Sequence, residues 1–279
     1  MMRYARQTER PDDFQVDLGA DIFRSLKFAN FGRARGSLKY VNECDPTNPG
    51  ALTGFTGAGN TPVDRWGRAM GRANLTYNGS SDYSLVPVAG LALPVFTLSA
   101  WIKTATFTAG HAAWGCNKFS DGTGGFIFHY PTGTGTNVRF YIWNGSTLKY
   151  KEVAGVSGAW THWAMTFNGD TIEVFQNGVS LGTTPSIGAI SYTGVSGYAV
   201  GRYYYNDPNT IFGGSSCDNT QWSRALSPAE IARLADPQWS VMMGGAIYTR
   251  PNRSLVGQVG GGAPTPMSSY YYQLLAGAA

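Results

Sequence analysis

One serine motif is the most direct sign of catalytic chemistry in this chain. Gly178-Val179-Ser180-Leu181-Gly182 matches the pattern G-x-S-x-G. In hydrolases that pattern exposes a nucleophilic serine on a strained turn between a strand and a helix. Here the match begins at Asn177-Gly178, a hairpin-turn signal, and continues in strand-like sequence with no helix after it. We therefore predict that Ser180 is an ordinary strand residue.

The acidic and histidine residues also lack catalytic or metal-binding spacing. Hydrolysis of a glycosidic bond needs two carboxyl groups that flank it. The carboxylates of the strand-like region are isolated in sequence: Glu152, Asp170, Glu173 and Asp218. The histidines lack the short spacings of zinc sites: His111, His129 and His162. We predict a non-enzymatic protein, although carboxylates from separate strands can still converge in space.

Aromatic residues offer a different chemistry, the binding of sugars. Sugar rings have apolar faces that can stack on exposed aromatic side chains. The strand candidates are Trp101, Tyr141 and Trp143. A loop in GRYYYNDPN adds three tyrosines and three polar side chains: Tyr203, Tyr204, Tyr205, Asn206, Asp207 and Asn209. The alternative is packing, since a large aromatic side chain buries about 150–250 Å²; we expect that role for Trp101, and we predict the loop as a carbohydrate site.

Composition indicates which elements must position these residues. The chain has 279 residues, 37 glycines, 14% aromatic and 14% charged residues, against roughly 25% charged in typical soluble domains. Short strands, many turns and one large core fit these values. The basic excess lies at the N-terminal end, with 11 Lys and Arg against 8 Asp and Glu in residues 1–72, so no nucleic-acid groove is expected on the sandwich.

The segment from Trp160 to Gly182 predicts a β-hairpin. Trp163, Met165 and Phe167 fall on one face of its first strand, as a period of two requires. Asn168-Gly169 and Asn177-Gly178 are typical of turns with positive φ. The same alternation recurs in Phe96 to Lys103, where four apolar residues share a face.

A short helix is predicted near the C-terminus. Ser227-Pro228-Ala229-Glu230 is a capping box with proline at the first helical position. Ile231 and Leu234 share a face of that helix, and Pro237 ends it.

Three regions follow from these signals. Residues 1–36 are predicted to form an N-terminal arm, 37–236 the sandwich, and 237–279 a C-terminal strand with a glycine-rich tail. The N-terminus lacks the apolar core of a signal peptide, and no apolar run approaches 18 residues. We therefore predict synthesis in the cytoplasm, without membrane insertion.

Six blocks resemble the concanavalin A-like, laminin-G-type domains, in the family's order. They are RAMGRANLTYNGSSDYSLVP, FTLSAWIKT, NVRFYIWNG, WTHWAMTFNGDTIEVFQNGVSLG, YAVGR and WSRALSPAEIARL, within residues 37–236. The resemblance implies an all-β fold, a two-sheet antiparallel β-sandwich or jelly roll with one short C-terminal helix, here with extended terminal arms. Because that fold hosts lectins, glycanases, adhesion modules and virion proteins, it leaves the function open.

The same resemblance implies a calcium site, because related domains often bind Ca²⁺ through loop oxygens. The matching positions are Asp45 and Asn48 in CDPTNPG, with Asp218 on the late strand. Calcium takes six to eight oxygen ligands, and the chain lacks the D-x-S-G-N-G loop that relatives often carry. Calcium is thus the one cofactor that the sequence suggests.

The functional expectation is a non-enzymatic structural protein of a bacteriophage-like virion. It would be a capsid decoration or a head or tail accessory subunit, made in the host cytoplasm, with a lectin-like domain that binds host-surface glycans. Its terminal arms would contact other virion proteins or identical subunits. The alternatives are a carbohydrate-binding module of a cell-surface or secreted protein and, third, a glycoside hydrolase.

Overall fold

Two antiparallel sheets packed face to face and one helix make up the described part of the computed structural model. The described residues are 25–30, 34–35, 39–40, 44, 50–54, 75–87, 90–104, 112–118, 123–129, 136–185, 187–195, 197–202 and 211–236. All of them lie within one compact unit, residues 14–249. The predicted all-β sandwich with a short helix is confirmed.

The seven-stranded sheet follows the spatial order β1-β16-β7-β12-β13-β14, with β5 also paired to β16. Its strands, numbered along the chain, are β1 (Leu26–Asn30), β5 (Leu75–Asn78), β7 (Phe96–Lys103), β12 (Thr161–Phe167), β13 (Ile172–Gln176), β14 (Val179–Thr183) and β16 (Gly213–Trp222).

The nine-stranded sheet follows the order β11-β10-β9-β8-β15-β6-β4-β3-β2. Its strands are β2 (Ala34–Arg35), β3 (Lys39–Tyr40), β4 (Gly50–Thr53), β6 (Tyr83–Pro87), β8 (Ala112–Lys118), β9 (Thr123–His129), β10 (Asn137–Trp143), β11 (Leu148–Ala154) and β15 (Gly197–Val200).

Aromatic rings fill the space between the sheets. Phe96 of β7 lies 4.9 Å from Phe126 of β9, measured between ring centroids. Phe128 and Phe140 stack at 4.5 Å, and Trp163 packs on each of them at 5.8 Å. The predicted inward faces of β7 and β12 are confirmed, because their alternate apolar residues belong to this core.

A second apolar cluster covers the outer face of the seven-stranded sheet. The helix α1 (Pro228–Ala235) brings Ile231 and Leu234 onto Ala164, Phe175 and Trp222. Both faces of β12 are therefore covered, and all seven of its residues are buried. The side chains of the strand alternate as the sequence predicts, and its second face packs against the helix through Ala164.

The two predicted turns differ in geometry. Asn177 and Gly178 have φ values of 50° and 82°, so the two-residue turn between β13 and β14 has the expected form. In the first turn only Gly169 has a positive φ, 101°. Asn168 instead accepts backbone hydrogen bonds from Asp170 and Thr171 at 3.0 and 2.9 Å. This loop holds four residues, so an Asx turn replaces the predicted two-residue geometry.

The predicted N-terminal arm includes residues 26–30, which the structure describes. These residues form β1, which pairs with β16 in the register Leu26↔Trp222. Leu26, Phe28 and Ala29 are buried, so this part of the chain belongs to the sandwich. The rest of the predicted arm up to residue 24, and the predicted C-terminal strand and tail from 237, lie outside the described residues.

The turn at Gly178 packs tightly on α1. A Cβ atom there would lie 2.9 Å from the Ala232 Cα. We expect Gly178→Ala to lower the free energy of unfolding by roughly 1–3 kcal/mol. The control is Gly158→Ala, which has a similar φ of 77° but nothing within 4 Å. Urea denaturation should show the larger loss for Gly178→Ala; equal losses would mean that contact with the helix is unimportant.

The capping box of α1 is confirmed, and it predicts a pH-dependent stability. Hydrogen bonds from Arg224 and Ser227 hold the pKa of Glu230 at about 2, below its usual 4.5. A lowered carboxyl pKa stabilises the fold above the usual value, and the effect is lost as the pH falls through the folded value. The native protein should therefore exceed Glu230→Gln in free energy of unfolding by about 0.5–1 kcal/mol at neutral pH.

That difference should shrink between pH 4.5 and about 2 and vanish below. Urea denaturation of both proteins across this range measures it. A difference that stays constant with pH would contradict the assignment.

Candidate functional site

The outward side of β10 and β11 presents a cluster of aromatic and polar residues. Alternate residues of β10 pack into the core, namely Val138, Phe140 and Ile142. The residues between them must therefore face away from it. With their partners on β11 they form what we call the β10–β11 face: Asn137, Arg139, Tyr141, Trp143, Tyr150 and Glu152.

Arg139 lies at the centre of this face. Its Nε donates a hydrogen bond to Oε2 of Glu152, directly opposite on β11. Its Nη1 donates to the Tyr141 hydroxyl at 3.0 Å. The guanidinium carbon lies 4.6 Å from the centroid of the Tyr150 ring, within the range of a cation–π interaction. One cation thus holds a carboxylate, a hydroxyl and an aromatic ring in fixed positions.

Further contacts complete this network. The side-chain amide of Asn137 donates to Oε1 of Glu152 at 2.7 Å, so both carboxylate oxygens are oriented. The rings of Tyr141 and Tyr150 lie 5.2 Å apart at an angle of 52°. Tyr150 therefore contacts a ring on one side and a cation over its face, which leaves it little freedom to rotate.

The electrostatics follow from these contacts. The hydrogen bond from Arg139 lowers the pKa of Glu152, so this carboxyl group is ionised at neutral pH. Burial raises the pKa of Tyr141, which stays a neutral phenol. Burial also opposes the charge of Arg139, but hydrogen bonds to Tyr141 and Glu152 outweigh it and raise its pKa. The face thus carries one positive and one negative charge, paired with each other.

Exposure locates the accessible part of the sheet. Tyr150 is 47% exposed, whereas Tyr141, its partner on β10, is 5% exposed. One register row runs from Tyr150 through Tyr141, Ile127 and Gly115 to Ala199 of β15. Ala199 is completely buried although it alternates with core residue Val200. This row is therefore buried at Ala199, and its β10–β11 end carries the exposed ring.

This arrangement suits binding better than bond cleavage. Rigid aromatic rings provide contact area, and fixed polar groups give direction to hydrogen bonds. Among the described strands of the nine-stranded sheet, Glu152 is the one acidic residue. A ligand on this face would meet a stacking surface next to an ordered ion pair.

The structure separates the aromatic residues singled out from sequence. Tyr141 and Trp143 lie together on the β10–β11 face. Trp101 belongs to the other sheet, is 4% exposed and packs edge-on against His162 at 5.3 Å. Its predicted packing role is confirmed.

The predicted tyrosine loop cannot be compared with this face. Tyr203, Tyr204, Tyr205, Asn206, Asp207 and Asn209 lie outside the described residues. The residue before them, Arg202, is buried and forms an isolated β-bridge with Ile211. Its guanidinium carbon lies 4.4 Å from the ring centroid of Tyr83. The loop thus begins beside the outward residues of β6, and its sugar-binding role stays a prediction.

The predicted calcium ligands are likewise only partly visible. Asp45 and Asn48 lie outside the described residues. Asp218 lies in a bulge of β16 between Cys217 and Thr220, with a φ of 51°. Among the described side chains, no group of three His, Cys, Asp or Glu residues is placed to hold a metal ion. Calcium binding stays a prediction.

The interpretations of Ser180 and His162 are confirmed, whereas His111 lies outside the described residues. Ser180 lies in β14, and its hydroxyl donates to Oε1 of Glu173 at 2.6 Å. His162 is buried in β12 with its Nε2 2.7 Å from the Ser99 hydroxyl. Both residues stabilise pairing within the sheet.

Arg139 and Tyr150 of the candidate site were not singled out from the sequence, and Glu152 was considered there only as an isolated carboxylate. The alternating pattern N-x-R-x-Y-x-W from Asn137, followed by Y-x-E from Tyr150, was the available signal. Its meaning depends on the pairing register, which aligns Arg139 with Glu152 and Tyr141 with Tyr150.

Fold and face together define a lectin-like jelly-roll protein. Residues 78–232 match Laminin_G_3, the family described as concanavalin A-like lectin/glucanases superfamily, and the chain belongs to that family. No curated protein matches the chain. No helix in the described part has the length and apolarity to cross a membrane.

Several solved structures share the fold. Domain 4 of AbnA, a GH43 extracellular arabinanase from Geobacillus stearothermophilus solved with arabinotriose, is 18% identical with a TM-score of 0.54, and the match covers 75% of this chain and 100% of that one. A Trypanosoma rangeli sialidase in complex with 2,3-difluorosialic acid is 15% identical with a TM-score of 0.56, over 78% and 33% of the two chains.

The receptor-binding domain of botulinum neurotoxin C/D mosaic serotype is 14% identical with a TM-score of 0.54, over 76% and 51%. This chain therefore spans about a third of the sialidase and half of the toxin domain. At these identities the likeness concerns the fold alone.

Proposed function

We propose that this protein is a non-enzymatic carbohydrate-binding protein and that the β10–β11 face binds the glycan. The observation that carries the proposal is the half-exposed ring of Tyr150, which Arg139 and Tyr141 hold beside the oriented Glu152 carboxylate. Domain 4 of the arabinanase, which the match covers completely, was solved with arabinotriose. That relationship supports a glycan as ligand.

The chemistry of the face matches that of a sugar. The C–H groups on one side of a sugar ring can pack on the exposed ring of Tyr150, which supplies apolar contact at little entropic cost because the ring is already held. Sugar hydroxyls both donate and accept hydrogen bonds. Glu152 can accept them, and the amide of Asn137 can donate.

A binding role fits the single carboxylate better than hydrolysis does. Glycosidases use two carboxyl groups, about 5–5.5 Å apart or about 6.5–9.5 Å apart according to mechanism. The described strands of this sheet supply only Glu152. Its lowered pKa keeps it deprotonated, so it is poorly suited to act as a general acid.

The test removes the exposed ring. Tyr150→Ala should weaken glycan binding at least about tenfold, because the stacking contact and its buried area contribute on the order of 1.5 kcal/mol. Tyr150→Phe keeps the ring and should bind within about threefold of the native protein. Glycan-array screening followed by calorimetry on the best ligand measures both.

Val179→Ala is the matched control, because Val179 is 65% exposed on the other sheet. It should bind like the native protein. Native affinity in Tyr150→Ala would place the binding site elsewhere, with the tyrosine loop at Tyr203–Tyr205 as the next candidate.

A second proposal concerns assembly, and the composition of the terminal segments favours it. The chain would be a virion structural protein, attached through residues 1–24 and 237–279 to other virion proteins or identical subunits. The N-terminal region carries the basic excess, and the C-terminal segment combines GQVGGGAPTP with the aromatic SSYYYQ. Such segments can become ordered on a partner surface at an entropic cost.

Mass spectrometry of purified phage particles tests this role. The full chain should be incorporated, and a version limited to residues 25–236 should be lost, because it keeps β1 through α1 but lacks both terminal segments. Absence of the full chain from particles would contradict the proposal. Equal incorporation of the shortened chain would show that the sandwich itself makes the attachment.

A further inference from the structure

The one cation of the β10–β11 face already binds protein groups through two of its three nitrogens. Arg139 uses its Nε on Glu152 and its Nη1 on Tyr141, and its flat side contacts the Tyr150 ring. Recognition of a carboxylate by arginine depends on two parallel N–H groups of a guanidinium fork. The Nε side of that fork is occupied by a carboxylate from the protein itself.

The charges around Arg139 also disfavour an anion. Glu152 balances Arg139, and a second carboxylate placed beside it would be repelled. Lys149 and Lys151 alternate with Tyr150 and therefore point to the other side of β11. The face then has no net positive charge to attract an acidic sugar.

Hydroxyl groups, in contrast, find partners that remain available. A carboxylate has about four lone-pair positions, and the network occupies one on each oxygen of Glu152, from Asn137 and Arg139. The remaining positions can accept O–H groups. An amide nitrogen carries two donors, so Asn137 has a second N–H beyond its bond to Glu152.

From this charge balance we infer that the β10–β11 face selects neutral, hydroxyl-rich glycans and discriminates against glycans that carry carboxylates. The inference rests on the proposed glycan-binding function of the same face. The ion pair between Arg139 and Glu152 acts as the selective element. Glu152 offers acceptor positions to hydroxyl groups, and its bond to Nε occupies one N–H of the side-on fork that a carboxylate ligand would need.

The experiment compares matched glycans with and without a carboxylate. Oligosaccharides of galactose and of galacturonic acid of equal length, and one glycan with and without a terminal sialic acid, are tested at about pH 8 on the full chain. The neutral member of each bound pair should bind at least about tenfold more tightly. That preference should shrink in high salt, because the Debye length falls from about 30 Å at 0.01 M to about 3 Å at 1 M.

Glu152→Gln then tests the source of the selectivity. The variant keeps the side-chain size and one acceptor oxygen but removes the negative charge that balances Arg139. The affinity for acidic glycans should therefore rise at least about fivefold relative to the affinity for their neutral partners. Glu173→Gln removes an equal charge from the other sheet and should leave the preference unchanged. Circular dichroism and the thermal midpoint establish that both variants fold.

The outcomes separate the two proposals. A native preference for acidic glycans that Tyr150→Ala abolishes would overturn this inference and leave the binding function in place. A neutral preference unchanged in Glu152→Gln would also overturn it. Binding of neither class by the native chain would remove the proposed function and this inference together.

Discussion

The packing of aromatic rings between the sheets is the constraint on which the candidate site depends. Phe128 and Phe140 stack on one sheet, and Trp163 of the other packs on both. Because strand side chains alternate, burial of Phe140 forces Arg139 and Tyr141 to the opposite side. A shift of one residue in the pairing register of β10 would place the charge of Arg139 in the core, where an unpaired ion costs several kcal/mol. The core therefore fixes the register of the binding face.

The two sheets use their outer faces differently. On the seven-stranded sheet, α1 covers Ala164, Phe175 and Trp222, and the close approach at Gly178 holds the helix against the hairpin of β13 and β14. That face is an extension of the core. On the nine-stranded sheet, the exposed ring of Tyr150 lies at the β11 edge. The helix thus covers the outer face of one sheet, and the other sheet carries the proposed glycan-binding face.

Local signals allowed the sequence to predict most of the fold. The capping box at Ser227 and the turn at Asn177-Gly178 act over three or four residues, and both have the expected geometry. The strand β1 was assigned to the predicted arm because its partner β16 lies nearly 200 residues away, so no local pattern pairs it with the sandwich. Tyr141 was found as an aromatic strand residue, but its partners on β11 were not. They depend on the loop that joins β10 and β11, and its length sets which residues face each other.

The pairing of Arg139 with Glu152 fits the proposed glycan binding on this face better than it fits acid catalysis. A general acid must hold a proton near neutral pH, which requires a raised carboxyl pKa; the guanidinium lowers that of Glu152. The same bond orients the carboxylate before any ligand arrives, so the side chain loses less conformational entropy on binding. Selectivity then depends on the charge balance of one pair on the surface, away from the rings that hold the sheets together. Substitution of either partner can therefore change the class of ligand while the core and the register stay intact.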